Sequence, residues 1–170
     1  MNTPETPRQD PPLRPSAAVT LSATGLGAGL LPGAPGTWGS LLAVLAAWPI
    51  AAQWGWMGLF VASALAFAIG IPVSTAYTRR TGQTDPGEVV IDEIAGQWLT
   101  LVPAVLIGGP DWVLFVAGFA LFRLFDIWKP WPIRTIERNT RGGFGIMIDD
   151  MAAALPAGLF LYGFAQLMGH

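Results

Sequence analysis

The chain has 170 residues, nine Lys and Arg against eleven Asp and Glu, no Cys, and a single His at its last position. Without a thiol or an internal imidazole it has no disulfide scaffold, no Cys or His phosphoenzyme, no Ser-His-Asp triad and no Cys/His zinc site. Charged residues are only 12% of the chain, hydrophobic residues 52%, and mean hydropathy is +0.50. Soluble domains carry roughly 25% charge, so this is the composition of a membrane protein. A net charge of −2 gives no field that would gather nucleic acid.

Residues 1–18 hold five prolines (Pro4, Pro7, Pro11, Pro12, Pro15) among polar neighbours and read as a disordered tail, leaving 19–170 as one membrane domain. No signal peptide is expected, because the first apolar run is broken by Gly and Pro and lacks a cleavable end. Positions 15–78 form 64 consecutive residues without a charge. A helix needs about 20 apolar residues to cross a ~30 Å hydrocarbon layer, so this stretch holds two spans. They are placed at 41–53 and 57–77, with the turn at Trp54-Gly55-Trp56 and a kink at Pro49. Segment 93–126 reads as a helical hairpin turned by Gly108-Gly109-Pro110-Asp111. Each of its arms, at about 15 residues, is marginal for a full span. The last helix is placed at 151–167. The expected fold is thus an all-α membrane bundle of four to five apolar helices.

With these crossings, polar segments 1–40, 78–93 and 123–150 share one face and contain all nine basic residues. By the positive-inside rule that face is cytoplasmic. Trp38, Trp128 and Trp131 suit its interface, and Trp54, Trp56 and Trp112 the opposite one.

Four polar groups gather on the basic face, where charges in a membrane protein are kept for a purpose. The Gly-rich run 25–40 opens onto the first span with Ser40 as its expected N-cap, and free N–H groups at such an end can hold an anion. Asp92 and Glu93 begin the hairpin. Arg123 and Asp126, three apart, share a helix face, and Pro130 leaves Lys129 at that helix's mouth. Finally, Gly142-Gly-Phe-Gly leads as a loop into Asp149 and Asp150. Segments 89–96 and 146–153 echo one another, each with a small residue (Gly96, Ala153) four after its first acid. Close packing there is expected to bring Asp92 and Asp149 together. Clustered carboxylates without His or Cys suit a hard cation, above all Mg²⁺, and Arg, Lys and glycine N–H groups suit a phosphate. Together these are the parts of a phosphoryl-transfer site, and their position at helix mouths points to a lipid headgroup.

Residues 27–40, 89–96, 122–133 and 142–150, in this order, resemble the motifs of the bacterial phosphatidylglycerophosphatase A family, with similarity over about 20–168. The resemblance implies an all-α domain and Mg²⁺-dependent hydrolysis of phosphatidylglycerophosphate to phosphatidylglycerol at the bacterial inner membrane; the charge count above sets the site on the cytoplasmic side. It carries functional roles to Asp92, Glu93, Arg123, Asp126, Lys129, Asp149 and Asp150. On this reading Asp92, Glu93, Asp149 and Asp150 hold one or two Mg²⁺, with Asp92 and Asp149 as direct ligands, because adjacent helical residues point about 100° apart. Arg123 and Lys129 bind the terminal phosphate, helped by Gly36, Thr37, Ser40 and Gly143. The attacking group is left open between water and Asp126 or another Asp. Other readings are a phosphatase for a different lipid phosphate, such as phosphatidate, a divalent-cation transporter, or an assembly partner. Oligomeric state is not fixed by the sequence.

Overall fold

A computed structural model describes residues 14–170, which are helical with no strand. A short helix α1 (Ala17–Ala23) and a 3₁₀ turn (Ala28–Leu30) precede the long α2 (Pro35–Thr81). The hairpin follows as α3 (Ile91–Gly108) and α4 (Trp112–Trp128), then the short α5 (Ile133–Asn139) and finally α6 (Gly142–Leu167). Most of the expected proline-rich tail lies outside the described residues. Its last two positions, Ala17 and Ala18, open α1, which Ser16 caps by accepting from the Val19 N–H.

The α2 helix is two rods in one. At Gly55 the backbone leaves helical geometry (φ 60°, ψ −155°), a left-handed conformation that Gly adopts without Cβ strain. The turn expected at 54–56 is therefore present, and the break sits at this glycine while Pro49 stays within the helix. Counting the two rods separately, α2, α3, α4 and α6 supply five apolar rods. By length and composition α2, α3 and α6 can each cross a membrane, and α4 has 17 residues.

Two expected boundaries move. The first span begins at Pro35 with Ala34 as N-cap, so Ser40 lies inside the helix, where its hydroxyl donates to the Gly36 carbonyl. Proline suits a helix's first position because its missing N–H would have no intrahelical partner there. The last helix begins at Gly142, which turns the expected loop 142–145 into its first turn and sets Asp149 and Asp150 two turns inside. Glycines read as breakers are kept here for space. A Cβ at Gly143 would collide with the Ile71 carbonyl oxygen and lie 2.7 Å from the Thr75 nitrogen of α2.

A hydrocarbon solvent is as apolar as leucine, so helices associate through close packing and internal hydrogen bonds more than through hydrophobic burial. Small buried residues (Ala43, Ala47, Ala51, Gly96, Gly118, Ala153, Ala157) accordingly face neighbouring helices, while Leu45, Phe60, Leu65, Ile69, Val116 and Leu159 point outward. Buried donors find carbonyls on other helices: Ser63 Oγ donates to Ala95 O (2.8 Å) and Trp98 Nε1 to Ala43 O (2.8 Å). Leu101, Leu114, Phe115 and Leu161 fill the half of the bundle away from the acidic residues. There Trp48 and Trp112 stack with centroids 4.2 Å apart.

α3 and α6 lie side by side in the same direction, and Gly96 sets their register. A Cβ at Gly96 would sit 2.9 Å from the Asp150 carbonyl oxygen and 2.7 Å from Phe122 Cε2. Gly96→Ala is expected to destabilise the protein by about 1–3 kcal/mol through overpacking. By contrast Gly163→Ala, in the interior of α6 with nothing within 4 Å of its added Cβ, should gain up to ~1 kcal/mol of helix propensity. Thermal unfolding in detergent should show shifts of opposite sign, and a neutral Gly96→Ala would mean that this contact does not set the helix spacing.

Candidate functional site

Three helix mouths meet at one end of the bundle. Asp92 and Glu93 occupy the first turn of α3, where the helix dipole favours negative charge. Asp126 lies in the last turn of α4, and Lys129 caps that helix with positive φ (46°). Asp149 and Asp150 come from α6. These six side chains line one cavity of about 750 Å³. Its remaining wall includes the segment 82–87 between α2 and α3, Arg79, Arg141 and the first turn of α6.

The acids divide into two sets. One carboxylate oxygen each from Asp92, Glu93 and Asp150 lies within 4.8 Å of the others, an arrangement that can hold a metal ion. Asp92 Oδ1, Glu93 Oε2 and Asp150 Oδ2 are buried and take no hydrogen bond among the described residues. Asp149 instead forms an ion pair with Lys129. The expected joining of Asp92 with Asp149 is corrected in this respect: Asp92 meets Asp150. The parallel register of α3 and α6 selects the second acid of the pair. Asp92 and Glu93 also act together despite their divergent directions on the helix, since the extra methylene of Glu93 lets its carboxylate return to the cluster.

Arg123 lies behind the acids, outside the cavity wall. Its Nη1 is 2.6 Å from Asp126 Oδ2 and 3.8 Å from Glu93 Oε1. The guanidinium thus braces two acids from two helices. Gly36 on α2 makes room for this brace, since a Cβ there would collide with Glu93 Oε1 and lie 2.9 Å from Arg123 Nη1. Thr37 and Ser40 follow on α2, and Gly143 packs α6 onto α2; none of these three lines the cavity.

Arg79, Arg141, Gly145 and the segment 82–87 also line the cavity, beyond the residues expected from the motifs. One signal was available: Arg79 ends the long uncharged stretch, and Arg141 directly precedes Gly142-Gly143.

Residues 21–165 match the sequence profile of the family described as Phosphatidylglycerophosphatase A. The chain belongs to the phosphatidylglycerophosphatase A family. A phosphatidylglycerophosphatase A of Escherichia coli K12 is 39% identical over 150 residues, covering 88% of this chain and 83% of its own. One of Haemophilus influenzae is 37% identical over 152 residues, covering 88% and 90%. A Bacteroides thetaiotaomicron protein provisionally named a phosphatidylinositol-3-phosphatase is 40% identical over 154 residues, covering 84% and 90%. No solved structure matches the chain. The family resemblance carried by the four motifs is therefore borne out, and all seven charged motif residues converge on one end of the fold.

The brace itself can be tested. Arg123→Met leaves Glu93 and Asp126 without their buried cation, a loss expected to cost about 3–5 kcal/mol. Removing one of the stranded charges as well, in Arg123→Met/Asp126→Asn, should recover part of it. If thermal unfolding finds the double variant no more stable than the single one, the pairing of Arg123 with Asp126 is not what holds these helix mouths together.

Proposed function

We propose that this protein is a Mg²⁺-dependent phosphatase of the bacterial inner membrane that removes the terminal phosphate of phosphatidylglycerophosphate, leaving phosphatidylglycerol, with its site open to the cytoplasm. Family membership supports the reaction class. The observation that carries the rest is the trio of buried Asp92 and Asp150 with half-buried Glu93 at the floor of a cavity where the helices end.

The donor set fits a hard divalent cation. It is all oxygen, each of the three acids keeps a buried oxygen that takes no hydrogen bond among the described residues, and the chain contains no Cys. Bound there by Asp92, Glu93 and Asp150, Mg²⁺ would supply positive charge against the phosphate oxygens. In hydrolysis the phosphorus–oxygen bond to glycerol breaks, the alcohol oxygen takes a proton, and the released phosphate carries an oxygen from water. Lys129, on the cavity wall, contributes a point charge toward the phosphate, and its partner Asp149 keeps that ammonium directed inward. Arg123, set behind the wall, positions Glu93 and Asp126 and does not itself touch the phosphate.

A second reading keeps the chemistry and changes the lipid, to phosphatidate or another lipid phosphomonoester. The provisional name of the Bacteroides relative is the observation that favours it.

Purified protein in detergent is expected to release phosphate from phosphatidylglycerophosphate with Mg²⁺ and to stop in EDTA. Asp150→Asn and Asp92→Asn should each lower kcat by on the order of 10³-fold. Full activity in EDTA, or an Asp150→Asn protein that keeps wild-type turnover, would remove the metal and this residue from the mechanism.

Orientation has its own test, made simple by the absence of native Cys. In cells, Arg138→Cys should react with a membrane-impermeant maleimide only after the inner membrane is opened, and His170→Cys before it. Labelling of both from the same side would refute the topology.

A further inference from the structure

The wall of the cavity changes character with depth. Its floor holds the buried acids with Lys129, while its outer part carries two guanidinium groups and one carboxylate: Arg79 in the last turn of α2, Arg141 just ahead of α6, and Asp85 in the segment between α2 and α3. Both are exposed, and among the described residues neither is ion-paired with a carboxylate. Close packing lower down fixes where they stand. The second rod of α2 and α6 run antiparallel, with Gly143 against Ile71 and Thr75 and Gly70 against Met147. Moving from Gly143 toward the polar end, Thr75 is followed one turn later by Arg79, and Gly143 is preceded by Arg141. The two arginines therefore stand at similar height on neighbouring helices beside the same opening.

A phosphatidylglycerophosphate headgroup carries two anions at different depths: a terminal monoester and, across a glycerol, the diester that joins it to diacylglycerol. The floor already has a place for the first. We infer that Arg79 and Arg141 form a second anion subsite that takes the phosphodiester of the lipid while its terminal phosphomonoester reaches the floor. This rests on the hydrolytic reading above and adds what sets the substrate class. Lipids with a monoester and a diester separated by a short polyol are selected over phosphatidate, whose single phosphate is joined directly to diacylglycerol. A phosphodiester offers two free oxygens, and a guanidinium can meet both with parallel N–H donors, which an ammonium cannot do.

The test compares full-length wild-type protein in Mg²⁺ and mixed micelles with Arg79→Gln/Arg141→Gln and with Arg80→Gln/Arg138→Gln. The last is a charge-matched control, since Arg80 and Arg138 are also exposed but lie outside the cavity. For the cavity pair, kcat/KM on phosphatidylglycerophosphate should fall about 10–100-fold, chiefly through KM, as expected for lost charge-assisted hydrogen bonds. On phosphatidate it should change less than about threefold, within ~0.7 kcal/mol, and the control pair should match wild type on both lipids. An equal fall on both lipids, a similar fall in the control, or no fall on phosphatidylglycerophosphate overturns the inference. If wild type hydrolyses neither lipid, the hydrolytic reading has failed on its own, and the subsite is judged by equilibrium binding of the same lipids followed by tryptophan fluorescence. A preference for the two-phosphate lipid that is lost in Arg79→Gln/Arg141→Gln supports it; identical binding by the two proteins overturns it.

Discussion

Five carboxylates, Asp92, Glu93, Asp126, Asp149 and Asp150, converge on one end of this bundle, where Arg123 and Lys129 pair with them and Arg79 and Arg141 stand at the rim of the cavity. Like charges brought together out of water repel strongly, and the cost falls on the folded state unless cations share the site. Much of the architecture can be understood as managing that repulsion. The acids enter from three different helices, so no single helix carries the strain. The first turn of α3 contributes its dipole to Asp92 and Glu93. Each cation is assigned to particular acids: Arg123 bridges Glu93 and Asp126, and Lys129 takes Asp149. Among the described residues one buried oxygen each of Asp92, Glu93 and Asp150 still takes no hydrogen bond, and that is where a divalent cation would relieve the most charge.

Holding such a cluster needs helices at fixed spacing, and in a membrane apolar side chains supply little force to draw helices together. The glycines meet that need. Gly96 seats α3 against the α6 backbone at the level of Asp150, and Gly143 seats α6 against α2. Gly36 works differently: it leaves the volume that the side chains of Glu93 and Arg123 fill. Packing and electrostatics are therefore one problem here, because the residues that let the backbones approach are also those that decide which carboxylates meet.

The bundle was legible in the sequence because lipid exposure is written in residue type alone. Uncharged runs gave the spans, Gly55 the turn of the long apolar stretch, and Gly108-Gly109-Pro110-Asp111 the hairpin. The seven charged motif residues were legible for the same reason, since a charge in so apolar a chain is conspicuous, whereas Arg79, Asp85 and Arg141 join them only through the fold. What could not be read was the meaning of glycine. In the run 142–145 it marks a helix start pressed against a neighbour, although locally it reads as a loop, and the difference lies in Ile71 and Thr75, some seventy positions away. The choice between Asp149 and Asp150 was hidden likewise. A repeat in sequence aligns the first acids of the two motifs, whereas contact is set by how far α6 slides along α3, which is a tertiary quantity.

That slide also bears on how a headgroup would be measured. The register that sets Asp150 against α3 is continued upward by the packing of Gly143 on α2, which carries Arg141 and Arg79 to the cavity's outer wall. The depth between buried acids and exposed arginines is thus built from helix rise, at about 1.5 Å per residue, rather than from flexible loops. A site made this way holds its groups at fixed separations before any ligand arrives, which is the condition under which charge placement can discriminate between substrates as well as attract them. The same rigidity explains why small residues far from any acid can matter to chemistry. Enlarging one would shift a whole helix, and with it the distance between the floor and the rim.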